Sequence, residues 1–157
     1  MKPTNLYDQL SRDEGRVAHV YKDHLGYYTI GIGFMVDKRK KGGLRPEEMK
    51  FILNNRIRLI KSELARRLPW LDTLDEVRQG VLFNMAYQMG VEGLLGFKNT
   101  LAMIEQKDYV AASRGMMNSL WARQTPKSAK RLPEQMRTGE WQCFLDSNYY
   151  WEYYPYF

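Results

Sequence analysis

Two carboxylates and a hydroxyl, Glu14, Asp23 and Thr29, sit in a segment punctuated by Gly15, Gly26, Gly31 and Gly33. Two carboxylates in different surroundings are what glycoside hydrolysis requires. One stays protonated and donates to the leaving oxygen; the other stays ionised and steers a water or faces an oxocarbenium-like centre. Glu14 is the candidate acid, because a partly buried position at the negative end of a helix favours a neutral carboxyl. Asp23, beside Lys22 at a turn, is the candidate anion. Spacing alone does not distinguish them from ordinary surface acids, since two carboxylates so placed occur by chance in most proteins.

The elements that must hold them are short. Leu6, Tyr7 and Leu10 mark the apolar face of a helix that Gly15 stops in a left-handed cap, which makes Glu14 its last residue. Val17 to Lys22 reads as a strand, Leu25-Gly26 as a turn and Tyr27 to Ile30 as a second strand. A third strand follows Gly31 or Gly33. Such a meander brings Asp23 and Thr29 back toward Glu14.

The residues between them are more specific. Asp13-Glu14-Gly15, Tyr21-Lys22-Asp23 and Gly26-Tyr27-Tyr28-Thr29-Ile30-Gly31-Ile32-Gly33 resemble the active-site segment of the T-even phage lysozymes, without a gap. The resemblance implies Glu14 as general acid, Asp23 as the second carboxylate and Thr29 as the hydroxyl that positions water. It extends over roughly residues 5–147, most strongly at 13–33, 75–101 and 121–141, and implies sugar-contacting positions at Met35, Tyr87, Gln88 and Thr100. Trp121 is expected in the core.

The chain has 157 residues, 44% of them hydrophobic, enough for one core or one split between two lobes. No window reaches the length of apolar residues that a membrane helix needs. Met1-Lys-Pro-Thr-Asn5 has no apolar run of the secretory kind, and the single Cys143 suits a reducing compartment, so a cytoplasmic start is expected. His19 and His24 lack a third ligand at a suitable spacing, and neither metal nor cofactor is expected.

Of 24 Lys and Arg, eleven fall between Lys38 and Arg67, against the acids Glu47, Glu48 and Glu63. Such a block attracts polyanions, or is simply a solvated helix face. Within it, Pro46 opens a helix to about residue 68, with Met49, Ile52, Leu53, Ile57, Ile60 and Leu64 as an apolar stripe. At about 1.5 Å per residue it would run roughly 33 Å, long enough to join two lobes. Asp75 caps a further helix that Gly90 stops. Shorter helices are expected near Thr100–Gln106 and Tyr109–Leu120, and another is expected to begin with Thr125 as its N-cap and Pro126 as its first residue.

The expected architecture is α+β and mostly α: a lysozyme-like two-lobed fold with a β-containing lobe over about 13–45, a connecting helix over about 46–68 and a helical lobe over about 69–147. Three positions depart from the resemblance. Phe34 replaces a histidine of an ion pair, Ser128 an arginine that faces the acid, and Pro133 should kink its helix or end it early. Residues 148–157 lie beyond it and carry seven aromatics, Tyr149, Tyr150, Trp151, Tyr153, Tyr154, Tyr156 and Phe157. An irregular segment is expected there, either packed or in contact with the envelope.

By resemblance the chain is an endolysin. It would hydrolyse, with inversion, the β-1,4 bond between N-acetylmuramic acid and N-acetylglucosamine in peptidoglycan, lysing the host once the membrane has been permeabilised. Anionic envelope polymers or the outer membrane are candidate partners of the basic 38–67 region and of the tail; a monomer is expected, and nucleic acid is not. The alternatives are a non-catalytic polyanion- or envelope-binding protein on the same scaffold, or a membrane-disrupting lytic protein.

Overall fold

The computed structural model describes residues 5–142, which divide into two compact units, one up to Phe51 and one from Ile52 onward. Cys143 and the aromatic segment 148–157 lie outside the described residues.

In the first unit, α1 (Leu6–Asp13) begins where the Asn5 side chain accepts the Asp8 N–H at 2.9 Å, and ends at Glu14 because Gly15 turns the chain left-handed at φ +77°. Three antiparallel strands follow in the order β1 (Val17–Lys22), β2 (Tyr28–Gly31) and β3 (Phe34–Met35). Tyr21 faces Thr29 and Lys22 faces Tyr28 across β1–β2; Thr29 also faces Met35 and Ile30 faces Phe34 across β2–β3. The β1–β2 register shifts between Val17 and Tyr21, an irregularity of the kind that bends a strand. A 3-10 turn over Lys38–Lys40 then leads to α2.

Helix α2 (Pro46–Arg67) starts with Glu47 and Glu48 and finishes with Arg66 and Arg67, both favourable to the helix dipole. The Arg45 N–H donates to the Glu48 carboxylate at 2.7 Å, satisfying a donor ahead of the first turn. The apolar stripe is buried only toward its end. Leu64 is fully buried and Ile57 and Ile60 partly so, whereas Met49, Ile52 and Leu53 are exposed.

The second unit is helical: α3 (Glu76–Met89), α4 (Val91–Leu95), α5 (Lys98–Glu105), α6 (Tyr109–Met117), α7 (Leu120–Gln124) and α8 (Pro126–Thr138). Its core draws Leu64 from α2, Leu82 and Met85 from α3, Ile104 from α5, Met116 from α6, and Leu132 and Met136 from α8. Helix α6 packs on α5 and α8, and α3 packs on α4 and α8. Arg78 of α3 ties the end of α8 down: its Nε and Nη2 donate to the carbonyls of Met136 and Arg137 at 2.8 and 3.1 Å, and its guanidinium stacks 3.7 Å from the Tyr109 ring centre.

Three local expectations are corrected. The helix expected over Tyr109–Leu120 breaks after Met117, because Ser119 donates to the Met116 carbonyl at 2.6 Å and accepts the Ala122 N–H at 3.2 Å, ending α6 and starting α7. Thr125 precedes Pro126 as expected, but its hydroxyl donates backward to Trp121 O at 2.8 Å instead of capping α8. Pro133 does not end its helix early: α8 continues to Thr138. The missing N–H costs one i→i−4 hydrogen bond, while Leu132, Pro133, Gln135 and Met136 are all buried and hold the last turns against the core.

Candidate active site

Glu14 is the C-cap of α1, with its own N–H bonded to Leu10 O at 2.9 Å, so its backbone is committed to the helix and its side chain is not. That side chain lies directly over Gly33, in the β2–β3 turn. A Cβ added at Gly33 would sit 2.6 Å from Glu14 Oε2 and 2.9 Å from its Cδ. The hydrogen-only residue therefore makes the space the carboxylate occupies. The partial burial expected of Glu14 is not found: the residue is exposed, because the chain it rests on has no side chain to cover it.

Asp23 opens the turn that joins β1 to β2. Its Oδ1 accepts the N–H groups of Leu25 and Tyr27, both at 2.9 Å, and its backbone exchanges bonds with Tyr27 O and the Gly26 N–H, also at 2.9 Å. Aspartate is suited to this because its short side chain reaches the backbone two residues on, and Gly26 supplies the left-handed φ of +82°. Thr29, in the middle of β2, is buried and donates a long 3.4 Å bond to Tyr27 O. Asp23 and Thr29 thus hang on the two faces of one residue's backbone, Tyr27. Met35, half-buried, stands opposite Thr29 on β3.

Glu14, Asp23, Thr29 and Met35 all belong to the first unit; Tyr87, Gln88 and Thr100 belong to the second. Tyr87 is exposed on α3. Gln88 is the hub of an amide network: its Oε1 accepts from Trp121 Nε1 at 3.0 Å, and its Nε2 donates to Asn84 Oδ1 at 2.6 Å and Ser128 Oγ at 2.9 Å. Ser128 is therefore engaged by α3, and Trp121 is buried in the core as expected. Thr100 is also buried, its hydroxyl against Gly115 of α6, where a Cβ would come within 2.7 Å. Beside this network, Met89, Gly96, Phe97, Leu120, Trp121 and Gln124 line a mostly apolar concavity of about 380 Å³.

The charged loop after β3 holds residues that the motif did not single out. Asp37 is buried, and the Arg39 guanidinium, followed by the Tyr28 N–H, holds its carboxyl far below the usual carboxylate range against the opposing effect of burial. A depressed folded-state pKa means that Asp37 adds stability above its unfolded value, about 3.9, and that this contribution drains away as pH falls from there toward the folded value. Acid titration followed by amide signals of Tyr28 and Arg39 should show this turn loosening below about pH 4. In Asp37→Asn the turn should be weaker at neutral pH and lose less across the same acid window.

An α+β chain with its candidate acid at the end of the first helix, a second carboxylate in the first hairpin turn and a helical unit after a long helix is built as a small lysozyme is built. The family profile described as phage lysozyme matches residues 11–137, and the chain belongs to that family. It is 31% identical over 162 residues to a probable T4-type lysozyme 1 of Dictyostelium discoideum, covering 87% of this chain and 95% of that one. It is 32% identical to a probable T4-type lysozyme 2 of the same organism over the same shares. The pre-baseplate central spike protein Gp5 of Enterobacteria phage T4 is 29% identical over 89% of this chain, which spans 29% of that longer protein.

Proposed function

We propose that the protein is a muramidase, an inverting glycoside hydrolase acting on the β-1,4 bond between N-acetylmuramic acid and N-acetylglucosamine. The observation that supports this reading is that one unit carries the Glu14 side chain over Gly33 in the β2–β3 turn, Asp23 held by the backbone N–H groups of Leu25 and Tyr27, and Thr29 bonded to Tyr27 O. Glu14 gives its proton to the glycosidic oxygen as the bond from the anomeric carbon breaks. A water held by Asp23 and Thr29 attacks that carbon from the opposite face and passes its proton to Asp23. Inversion needs space for that water, about 6.5–9.5 Å between the two carboxyls. By the family resemblance, Met35 of the first unit and Tyr87, Gln88 and Thr100 of the second are the positions proposed to contact sugar. In this role the chain is an endolysin working as a monomer, retained in the host cytoplasm until the membrane is permeabilised.

Purified peptidoglycan free of membrane tests the reading. Release of reducing ends, with the α-anomer as the first product by NMR, is the expected result. Solubilisation without new reducing ends, or binding without either, would replace the hydrolase with an envelope-binding or membrane-disrupting protein.

Recruitment belongs to the same proposal. Lys38, Arg39, Lys40 and Lys41 are exposed, as are Lys50, Arg56 and Arg58 on α2. Screening shortens to about 8 Å at 0.15 M salt, so hydrolysis of whole walls should fall with added salt more steeply than cleavage of a neutral oligosaccharide. Equal salt dependence would leave the basic block as a solvated face.

A further inference from the structure

The first unit is short of apolar interior. Among its described residues, those most deeply buried are Ser11, Thr29 and Asp37, all polar, while Leu6, Tyr7, Leu10, Val20, Leu25 and Phe34 are exposed. Hydrophobic packing therefore does little to fix the turn that carries Asp23, and the geometry of that turn must come from hydrogen bonds.

Asp37 and Arg39 supply them. The Asp37 carboxylate, 3% exposed, accepts four donors: Tyr28 N–H at 3.0 Å, Arg39 N–H and Nε at 2.9 Å each, and Arg39 Nη2 at 2.7 Å. The same Nη2 reaches across to Gly26 O at 3.0 Å, inside the Asp23 turn. The guanidinium lies 5.1 Å from the centre of the Tyr27 ring, and Lys40 Nζ lies 4.9 Å from it. Tyr27 is the residue whose N–H holds Asp23 and whose carbonyl receives Thr29. The loop is itself anchored to β3, with Gly43 N–H bonded to Met35 O at 3.1 Å and Gly42 packed so closely that a Cβ would meet that carbonyl at 2.6 Å. A planar, forked cation is required, because one guanidinium serves a carboxylate on one side and a carbonyl on the other.

We infer that Asp37 and Arg39 are positioning residues for the reaction, a clamp from the loop after β3 that holds the Asp23 turn, and through Tyr27 also Thr29, in register with Glu14. They act through Asp23 and do not touch the substrate. The inference rests on the muramidase reading for its catalytic consequence, but not for the clamp itself.

Arg39 is largely exposed, so its variants retain the fold more readily than changes at buried Asp37. Arg39→Lys keeps the charge and loses the fork; Arg39→Ala loses both. In both, amide exchange at Leu25 and Tyr27, whose acceptor is Asp23, should speed up by about tenfold or more. On a soluble neutral glycan, kcat should fall about 10–100-fold with KM changed much less. Asp37→Asn should fall in the same direction. Unchanged exchange at Leu25 and Tyr27 overturns the clamp whether or not the protein cleaves glycan. Wild-type kcat in Arg39→Lys overturns the positioning role and returns Arg39 to simple attraction of an anionic substrate. If the wild type cleaves no wall, the muramidase reading fails, and the exchange measurement still decides the clamp.

Discussion

Glu14→Gln should leave a folded protein that releases reducing ends from peptidoglycan about 10²–10⁴-fold more slowly than the wild type. The amide keeps the shape of the carboxyl and removes the proton that the leaving oxygen must receive. Few substitutions at a candidate catalytic position separate chemistry from folding so cleanly. Glu14 contributes to α1 through its backbone N–H, bonded to Leu10 O, and its side chain is exposed. Thermal unfolding should therefore stay within about 0.5 kcal/mol of wild type. Asp23→Asn is a less direct test, because its Oδ1 also holds the N–H groups of Leu25 and Tyr27, and a lost rate there mixes chemistry with turn geometry. Glu14→Gln retaining more than about a tenth of the wild-type rate would remove Glu14 from the role of acid.

Gly33→Ala should cost about 100-fold in rate while the protein remains folded. Two physical effects act together at this position. Its φ of +67° is left-handed, where a Cβ costs about 1–2 kcal/mol. The new methyl would also occupy the place of the Glu14 carboxyl, 2.6 Å from Oε2 and 3.1 Å from Cγ, and that flexible side chain would swing away to make room. Gly31→Ala provides the control. Its φ of +69° carries the same backbone strain, but its Cβ would meet only Phe34, at 3.4 Å. Both variants should lose similar stability in thermal unfolding, and only Gly33→Ala should lose most of its hydrolysis. Equal losses of rate would mean that Gly33 serves the turn alone and that Glu14 does not need the space beneath it.

Much of the local structure was legible because it depends on neighbours in the chain. Gly15 ends α1, Pro46 opens α2, and Asp75 and Gly90 bound α3, each through backbone geometry or a cap spanning a few residues. The meander over residues 17–35 was legible for the same reason, its turns being set by glycine and aspartate. The break between α6 and α7 was harder to see, since Ser119 is an unremarkable helix residue until its hydroxyl bonds Met116 O and the Ala122 N–H. At Pro133 a local rule predicts a kink or an early end; the early end does not occur, and the helix runs on to Thr138 with Leu132, Pro133, Gln135 and Met136 buried.

The catalytic candidates divide along the same line. The residue types, the spacing and the family were determined by the sequence, because a contiguous motif over 13–33 carries Glu14, Asp23 and Thr29 together. The surroundings of those residues were decided only by tertiary structure. Exposure of Glu14, the seat that Gly33 provides, burial of Thr29 and Thr100, and the clamp from Asp37 and Arg39 all depend on groups that meet through space. Asp37-Lys38-Arg39-Lys40 reads along the chain as a charged surface loop. It becomes a buried anion and a bridging guanidinium only when the antiparallel register carries β3 back beside β2 and the following loop reaches Gly26, because a hydrogen bond is sensitive to tenths of an ångström that sequence spacing does not specify.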